Sequence, residues 1–453
     1  MGKIKEDLKV RDSVDFASEP VGQAFRRMLW PTLLGMVSMV VLNLTDGAFV
    51  GHGAGAEALA AVNIAAPIFN LMTGIGIMFG IGASIVASVH LAQGNTKAAN
   101  INITQALIGS VAIAAVVAAL ILSDLPRTCR LFGSNEALIP LASSYLRWIA
   151  FFMPLQMLGM VGGFIVRLDG SPKFSMSCTL VASILNIILD FVFIFPLGMG
   201  LEGAAIATSI SFAISAMILM WYVVFRAERV HLYRLRLTLK SFVLTLRNIF
   251  YQIKAGFSAM LGEVAVSGAI IVGNFVFVSR LGEAGVAAYS VACYCMPIIF
   301  MFANAIVQSI QPIVSYAHGA GATERLQQAK DILLRSGLAA GFISMAVLAL
   351  GAKPITMLFM SPSEPAFQIC VNGLPYFSIA ALFVALNLVF IGYFQSIERS
   401  GASTFFTLLR GFIIVIPTFL LLPRLLGTPG IWLSIPLAEA LTLLVILVWS
   451  RFE

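Results

Sequence analysis

Charged residues are scarce in this chain: Lys, Arg, Asp and Glu together make up 11% of its 453 residues. A soluble domain carries about 25% charged residues. The composition therefore excludes a water-soluble enzyme or a nucleic-acid-binding protein. Hydrophobic residues make up 59%, and apolar runs of at least about 18 residues recur along the whole chain. The sequence predicts an all-α polytopic membrane protein whose surroundings are the lipid bilayer.

Residues typical of metal and redox sites are also few, with five Cys and four His. They form no CxxC pair and no Cys/His cluster, which argues against a metal centre or a disulfide framework. The cysteines are expected to be apolar packing residues. No GxxxxGK[ST] loop for ATP is present, and no catalytic constellation is apparent. We expect no enzymatic activity, no cofactor and no metal other than a possible Na⁺.

The apolar runs predict twelve membrane spans, of which the second and eighth are long enough to be tilted or bent. The stretch before the first span is polar and mixed in charge, unlike a signal peptide. The predicted spans are 28–50, 59–91, 101–123, 138–165, 174–196, 203–225, 249–278, 286–316, 332–351, 370–395, 402–422 and 430–450.

The formal net charge of +7 is distributed unevenly between the predicted loops. Placing both termini in the cytoplasm puts 22 of the 28 Lys and Arg residues on the inner side and six on the outer side. Because cytoplasmic loops are enriched in these residues, we expect a multi-pass protein of the plasma (inner) membrane with both termini cytoplasmic.

The two halves of the chain resemble each other at an offset close to 228 residues. Ile85 is matched by Ile313, and Pro196 by Pro423. Such a constant offset indicates an internal duplication, and six spans per half make the repeats parallel, a transporter design. The predicted parts are a cytoplasmic N-terminal segment (1–27), an N-terminal six-helix lobe (28–227), a cytoplasmic linker (228–250) and a C-terminal six-helix lobe (251–453).

Asp190 is a full carboxylate well inside the fifth span, and Asn186 lies four residues before it on the same helix face. An ionisable side chain in the membrane is costly, which makes it a candidate functional residue. An amide beside a carboxylate could share a bound cation or hold a proton. The alternative for Asn186 is a hydrogen bond between helices.

A second acid, Asp46, lies late in the first span. At the repeat offset Asp46 aligns with Asn274 and Asp190 with Thr418, so only the first half carries these acids. Helix packing alone gives no reason for this asymmetry, whereas a coupling-ion site needs only one lobe. If the first and fifth spans adjoin, the two carboxyl groups titrate as a pair. Thr208 in the sixth span could add a hydroxyl, although such residues commonly bond to their own backbone.

Three segments carry a resemblance to a known family: residues 41–52 (VLNLTDGAFVGH), 185–190 (LNIILD) and 200–208 (GLEGAAIAT). In this order and spacing they resemble the multidrug and toxic compound extrusion (MATE) transporters. The resemblance implies secondary antiport by a functional monomer, with cationic, often aromatic compounds leaving the cell in exchange for H⁺ or Na⁺. It also implies that the cation site consists of Asp46, Asn186, Asp190 and Thr208.

Some branches of this family also place acids in the second half, where Glu263 and Glu439 are candidates here. Glu439 and Arg410 lie at depths of about 17 and 12 Å at 1.5 Å per residue, so a structural ion pair is the favoured explanation for them. Glu263 is compatible with a cavity wall or with a solvated position. The substrate cavity is predicted from polar residues within spans: Asn43, Gln156, Glu263 and Asn387.

The alternative function on the same fold is a flippase or exporter of lipid-linked or anionic cargo. Such cargo would favour a cluster of Arg in the cavity, and only Arg147 and Arg410 lie near membrane depth. The other common duplicated twelve-span fold has a basic, Gly-rich and Arg-rich loop after the second span, which residues 92–97 (AQGNTK) do not match. A channel would need a continuous path or an oligomeric pore that the sequence does not indicate.

Overall fold

The computed structural model describes residues 14–132, 134, 136–235 and 238–450. All regular structure within these residues is helical, as expected because a helix satisfies its own backbone hydrogen bonds in lipid. Residues 1–13 of the predicted N-terminal segment lie outside the described residues. Several helices begin at a proline, for example at Pro172 and Pro365, where its missing N–H costs nothing.

Among the described residues, seven helices precede the middle of the chain. They are α1 (Val21–Gly53), α2 (Ala56–Ala92), α3 (Thr96–Ser123), the short α4 (Leu125–Leu131), α5 (Ile139–Leu168), α6 (Pro172–Ile194) and α7 (Gly200–Phe225).

Seven more helices follow, with a π-helical turn inside the eleventh predicted span. They are α8 (Leu239–Gly319), α9 (Thr323–Leu350), the short α10 (Ala352–Phe359), α11 (Pro365–Ser396), α12 (Ser400–Leu408), the π turn (Leu409–Ile413), α13 (Val415–Leu426) and α14 (Thr428–Trp449).

The helical segment α8 accounts for two of the predicted spans. Its 81 residues would be about 120 Å long as one straight helix, about four times the bilayer core. The backbone breaks at Gly282, whose φ of 65° and ψ of −159° favour glycine. Eleven segments among the described residues are long and apolar enough to cross a membrane. With α8 counted as two arms on either side of Gly282, the number of spans is twelve, as predicted.

The described chain forms two compact units. Unit 1 comprises residues 1–260 and 315–321, and unit 2 comprises residues 261–314 and 322–453. The core of unit 1 includes Phe79, Ile103 and Met153, and that of unit 2 includes Phe377 and Trp432, all at most 2% exposed. The predicted lobe boundaries differ from these divisions because α8 begins at Leu239, within the segment predicted as a linker.

The first arm of α8 is held against α3 by side-chain amides. Gln105 donates to Thr245 (2.8 Å) and accepts from Asn248 (3.0 Å), while Gln252 donates to the side-chain oxygen of Asn102 (2.9 Å). Thr245, Asn248 and Gln252 are spaced so that they lie on one helix face. These hydrogen bonds between side chains explain why the polar residues at the start of α8 form a helix and not a free linker.

Hydrogen bonds hold the first part of the segment between α7 and α8. Asp169, at the end of α5, is 3% exposed and accepts from the backbone N–H groups of Glu228, Arg229 and Val230 and from the Tyr222 hydroxyl. The next N–H groups, of residues 231 and 233, bind the side chains of Asn100 and Thr104 on α3. The Asp169 carboxylate therefore connects the α5–α6 turn to the residues that follow α7.

The chain before α1 joins the same region. The backbone N–H of Val14 donates to the carbonyl of Gly170 at 2.8 Å. Asp15 forms an ion pair with Arg229 at 3.2 Å, and the Arg229 guanidinium lies 5.6 Å from the centre of the buried Phe16 ring. The helix of the first span begins at Val21, seven residues before the predicted start, and this contact region explains why the polar residues before 28 are ordered.

Candidate functional site

Helices α1 and α6 of unit 1 pack together and bring Asp46 and Asp190 to one place. Asp190 is fully buried and Asp46 is half-buried. The two carboxyl groups lie close enough to interact electrostatically. The condition set by the sequence, that the first and fifth spans adjoin, is met in the structure.

Asn186 and Thr208 complete a group of four residues at this position. Asn186 is fully buried one turn before Asp190, and its Nδ2 donates to the Thr208 hydroxyl on α7 at 3.2 Å. Thr208 thus accepts a hydrogen bond from another helix and makes no recorded bond to its own backbone in the described chain. The ordinary alternative for this threonine is therefore wrong, and its O–H remains available as a donor.

Four oxygen atoms of this group lack hydrogen-bond donors. Asp46 Oδ1, both carboxylate oxygens of Asp190 and Asn186 Oδ1 are buried and accept no hydrogen bond. Buried polar atoms are almost always hydrogen-bonded in native proteins, and none of the described basic side chains forms an ion pair with either acid. Such a cluster can hold a proton on a carboxyl group, or bind a small hard cation, which prefers carboxylate, amide and hydroxyl oxygens.

Tyr145 on α5 is a neighbour of the site that the sequence did not single out. Its side chain is 9% exposed, and its phenol lies within electrostatic range of both Asp46 and Asp190. One turn later, Trp148 Nε1 donates to Glu202 on α7 at 2.8 Å and fixes the contact between α5 and α7. A single tyrosine in an apolar span carries no signal by itself, because only the packing of α5 shows which way it points.

The predicted cavity residues of unit 1 occupy different environments. Asn43 is exposed on α1, one turn before Asp46. Gln156 is half-buried on α5, and its Nε2 is buried without an acceptor. The described contacts do not join either residue to the carboxyl pair, and their role in binding stays a prediction.

The predicted cavity residues of unit 2 also separate. Glu263 is exposed on the first arm of α8. Asn387 on α11 is fully buried and donates from Nδ2 to the backbone carbonyl of Glu439 at 2.8 Å and to its Oε2 at 2.7 Å. Asn387 Oδ1 has no donor. The amide of Asn387 thus holds Glu439, while Glu263 stands apart from both.

Glu439 and Arg410 form the ion pair predicted from their depths. Arg410 Nη2 lies 2.6 Å from Glu439 Oε1, and Arg410 Nε contacts both carboxylate oxygens at 3.1–3.2 Å. The side chains are only 5% and 7% exposed. Arg410 belongs to the π turn, and π turns inside α-helices are frequent at functional sites.

This ion pair lines a small pocket in unit 2 with a cavity volume of about 30 Å³. The first arm of α8 contributes small residues such as Ala265 and Ala269, and the second arm contributes Phe300. Its walls are mainly apolar, and a cavity of this size holds no more than about two water molecules. This pocket could not be predicted from the sequence, because its walls come from helices far apart in the chain.

Similar proteins extend over nearly the whole chain. The multidrug export protein MepA of Staphylococcus aureus is 21% identical over 426 residues, covering 94% of this chain and 92% of that protein. An FAD transporter of Shewanella oneidensis is 25% identical over 448 residues, covering 95% of each chain.

Two solved structures share the fold. One is the outward-facing conformation of a multidrug resistance MATE family transporter of the MOP superfamily (22% identity, 97% of each chain, TM-score 0.88). The other is a MOP superfamily transporter from Pyrococcus furiosus described as having a binding pocket of reverse polarity that suggests a different function (22% identity, 97% of each chain, TM-score 0.87).

The MatE family model matches the chain twice, over residues 31–192 and 259–420. The matches begin 228 residues apart, which is the repeat offset found in the sequence. Together they cover more than half of the chain and include Asp46, Asn186 and Asp190. This multi-pass membrane protein of two repeated halves belongs to the MatE family, the multidrug and toxic compound extrusion transporters.

Proposed function

We propose that the protein is a secondary antiporter that exports cationic, often aromatic compounds in exchange for H⁺ or Na⁺ by alternating access. The coupling ion binds at Asp46, Asn186, Asp190 and Thr208. The protein acts as a monomer in the plasma (inner) membrane with both termini in the cytoplasm. It has no enzymatic activity and needs no cofactor other than the coupling ion.

One observation carries this proposal: four buried oxygen atoms without donors lie on two interacting acids and an adjacent amide. Two neighbouring carboxylates repel each other when both are ionised. A proton or Na⁺ relieves this repulsion and draws α1, α6 and α7 around the ion. Because ligands shift populations only through differential affinity, export requires that the ion bind one conformation of these helices more tightly than the other.

The driving force comes from the ion gradient. Each positive charge that moves down a membrane potential of 100 mV supplies about 2.3 kcal/mol. The name of the Staphylococcus aureus relative, a multidrug export protein, supports export of small molecules. The bias of Lys and Arg towards one set of loops supports the cytoplasmic placement of both termini.

The test is transport of a fluorescent cation into or out of proteoliposomes under an imposed pH gradient or Na⁺ gradient. The double variant Asp46→Asn/Asp190→Asn should lose gradient-driven transport while still inserting and folding. Glu57→Gln, which changes an exposed acid at the start of α2, serves as the matched control and should transport as the wild type does. Transport by the double variant at the wild-type rate would refute the proposal.

A second candidate is export of anionic or lipid-linked cargo, favoured by the similarity to an FAD transporter and by the buried Arg410. Against it, Glu439 neutralises Arg410, and Arg147, the other arginine predicted near membrane depth, is exposed. Transport of FAD in the same proteoliposomes distinguishes the candidates, because a cation exporter would leave FAD untransported.

A further inference from the structure

The beginning of α8, residues 239–254 of unit 1, has two chemically different sides. One side contacts α3 through the hydrogen bonds of Thr245, Asn248 and Gln252. The opposite side, here called the apolar side, carries five apolar side chains that are 52% to 81% exposed: Leu239, Phe242, Val243, Leu246 and Phe250. Contact of such a surface with water costs free energy in proportion to its area. In a membrane protein this side therefore belongs against acyl chains.

A row of three basic residues borders the apolar side. Lys240, Arg247 and Lys254 follow one another at intervals of nearly two helical turns, so they form one line of about 21 Å along the helix. All three are exposed. Val243 and Phe250 lie three residues after Lys240 and Arg247, a spacing that makes them neighbours on the helix surface. This basic row therefore places positive charge beside exposed apolar side chains.

The described part of the protein supplies no counter-charge for the basic row. None of its three members forms an ion pair with a described residue, unlike Arg229 in the preceding segment, which pairs with Asp15. The sequence contains no Asp or Glu between residues 229 and 262, and none in α3, the helix against which the segment packs. The inner leaflet of a cell membrane carries anionic phospholipids that attract Lys and Arg near its surface. An anionic phospholipid thus complements the basic row with its headgroup and the apolar side with its acyl chains.

The segment crosses α3 and does not run alongside it. Thr245 and Gln252 are about 10 Å apart along α8, but they form hydrogen bonds to Gln105 and Asn102, which are only about 4.5 Å apart along α3. Since α3 is one of the membrane spans, the segment is inclined towards the membrane plane. This inclination keeps the basic row close to the membrane surface, and the long side chains of Lys and Arg extend to the headgroups.

We propose that residues 239–254 form an interfacial segment that binds anionic phospholipid, with the lipid phosphates on the basic row and the acyl chains on the apolar side. Amphipathic helices of this kind bind membranes through buried apolar area together with attraction to anionic headgroups. Lipid binding by this segment does not depend on the coupling mechanism. Only its assignment to the cytoplasmic leaflet rests on the proposed function, because that assignment follows from the proposed orientation of the termini.

The experiment is photo-crosslinking of the purified full-length protein in phosphatidylcholine nanodiscs that contain a trace of a lipid probe. The probe is phosphatidylglycerol or phosphatidylcholine with the same diazirine in its acyl chain, and mass spectrometry of the digested protein locates the labelled residues. Residues 239–254 should be labelled at least about tenfold more by the phosphatidylglycerol probe. Lys240→Gln/Arg247→Gln/Lys254→Gln, the neutral variant, should abolish this preference. Arg247→Gln alone should lower it about fivefold, the equivalent of about 1 kcal/mol for one basic residue.

Two control variants match the neutral variant. Lys240→Arg/Arg247→Lys/Lys254→Arg keeps all three charges and should keep the preference. Arg325→Gln/Lys330→Gln/Arg335→Gln removes the same amount of charge from α9 and should also keep it. An excess of sn-glycerol 3-phosphate, which has the anionic group without acyl chains, should not compete with the probe.

Four results would overturn the proposal: equal labelling by both probes, an unchanged preference in the neutral variant, the same loss in either control variant, or competition by glycerol phosphate. The Asp46→Asn/Asp190→Asn protein separates this test from the coupling mechanism. It should show the wild-type preference for phosphatidylglycerol even though it does not transport, and normal transport by it would refute only the proposed function.

Discussion

The two halves of the molecule place buried polar groups on corresponding helices but satisfy them in opposite ways. In the first half, Asp190 on the fifth span and Thr208 on the sixth belong to a group in which three carboxylate oxygens lack donors. In the second half, Arg410 on the eleventh span and Glu439 on the twelfth close a complete ion pair. A completed pair needs no further ion, whereas an open pair of acids can take one, so the proposed ion dependence falls on the first half.

The comparison also shows that equivalent positions of the two repeats carry different polar groups. The two repeats carry corresponding helices, but one holds a pair of acids and the other an acid with its base. Asp190 corresponds to Thr418, which bonds to the backbone carbonyls of Ile414 and Val415. The second half thus has no counterpart of the open carboxylates at the equivalent position.

The largest effect is expected from breaking the closed pair. Glu439→Gln leaves Arg410 buried without a counter-charge and should lower the free energy of unfolding by about 3–5 kcal/mol. Arg410→Met/Glu439→Gln, which removes both charges, should recover most of that loss. Thermal unfolding of the detergent-solubilised proteins measures both, and equal stability of the single and double variants would contradict the ion-pair account.

The open acids should instead show a response to ions. An ion that binds the folded state stabilises it by about 2.7 kcal/mol when its concentration is 100 times the dissociation constant. The two measurements are a titration with Na⁺ at fixed pH and a titration with H⁺ in the absence of Na⁺. The melting temperature of the wild type should rise in the titration with the coupling ion. Asp190→Asn should lose this response and Arg410→Met/Glu439→Gln should keep it; a response retained by Asp190→Asn would place the ion elsewhere.

A smaller effect distinguishes two threonines on the corresponding helix pairs. Thr208→Val removes the acceptor of the buried Asn186 amide, at a cost of about 1–3 kcal/mol, and should slow ion-driven transport, whereas Thr208→Ser should restore both. Thr418→Val removes only a hydroxyl bonded to its own helix, and its stability should stay within about 0.5 kcal/mol of the wild type. Equal effects of the two valine variants would remove Thr208 from the site.

The smallest effect is expected where an ion pair is exposed. Arg130 and Glu136 are 55% and 79% exposed in their side chains and lie 2.9 Å apart. Because water and salt screen such pairs, Arg130→Met/Glu136→Gln should leave the melting temperature within experimental error. A loss comparable to that of Glu439→Gln would show that burial does not account for the difference between the two pairs.

Much of this architecture could be predicted from the sequence. Apolar run length gave the twelve spans, and the 228-residue offset gave the duplication, because both are properties of the chain itself. Asp46 and Asp190 were candidates because of the cost of acids in a membrane and their absence in the second repeat, and their grouping was predicted only on the condition that the first and fifth spans adjoin. The ion pair of Arg410 with Glu439 followed from similar depths on neighbouring spans.

The remaining features depend on how helices rotate and pack. The start of α8, residues 239–250, was predicted as part of the linker, because Thr245 and Asn248 are polar and only the structure places Gln105 opposite them. Tyr145 could not be distinguished from other aromatic residues in spans. The pocket beside Arg410 required the backbone turn at Gly282, which brings the second arm of α8 alongside the first.

The hydrogen bonds to Asp169, Asn100 and Thr104 determine where the segment after α7 should tolerate an insertion. Five consecutive or nearly consecutive backbone N–H groups, from Glu228 to Tyr233, are engaged by Asp169, Asn100 and Thr104. A protease site or a fluorescent protein inserted within residues 228–233 would disrupt this whole series, since each bond depends on the register of the others. Arg234 lies just beyond the last of these bonds and is exposed, and it offers a better position for a reporter or for splitting the gene into two co-expressed halves.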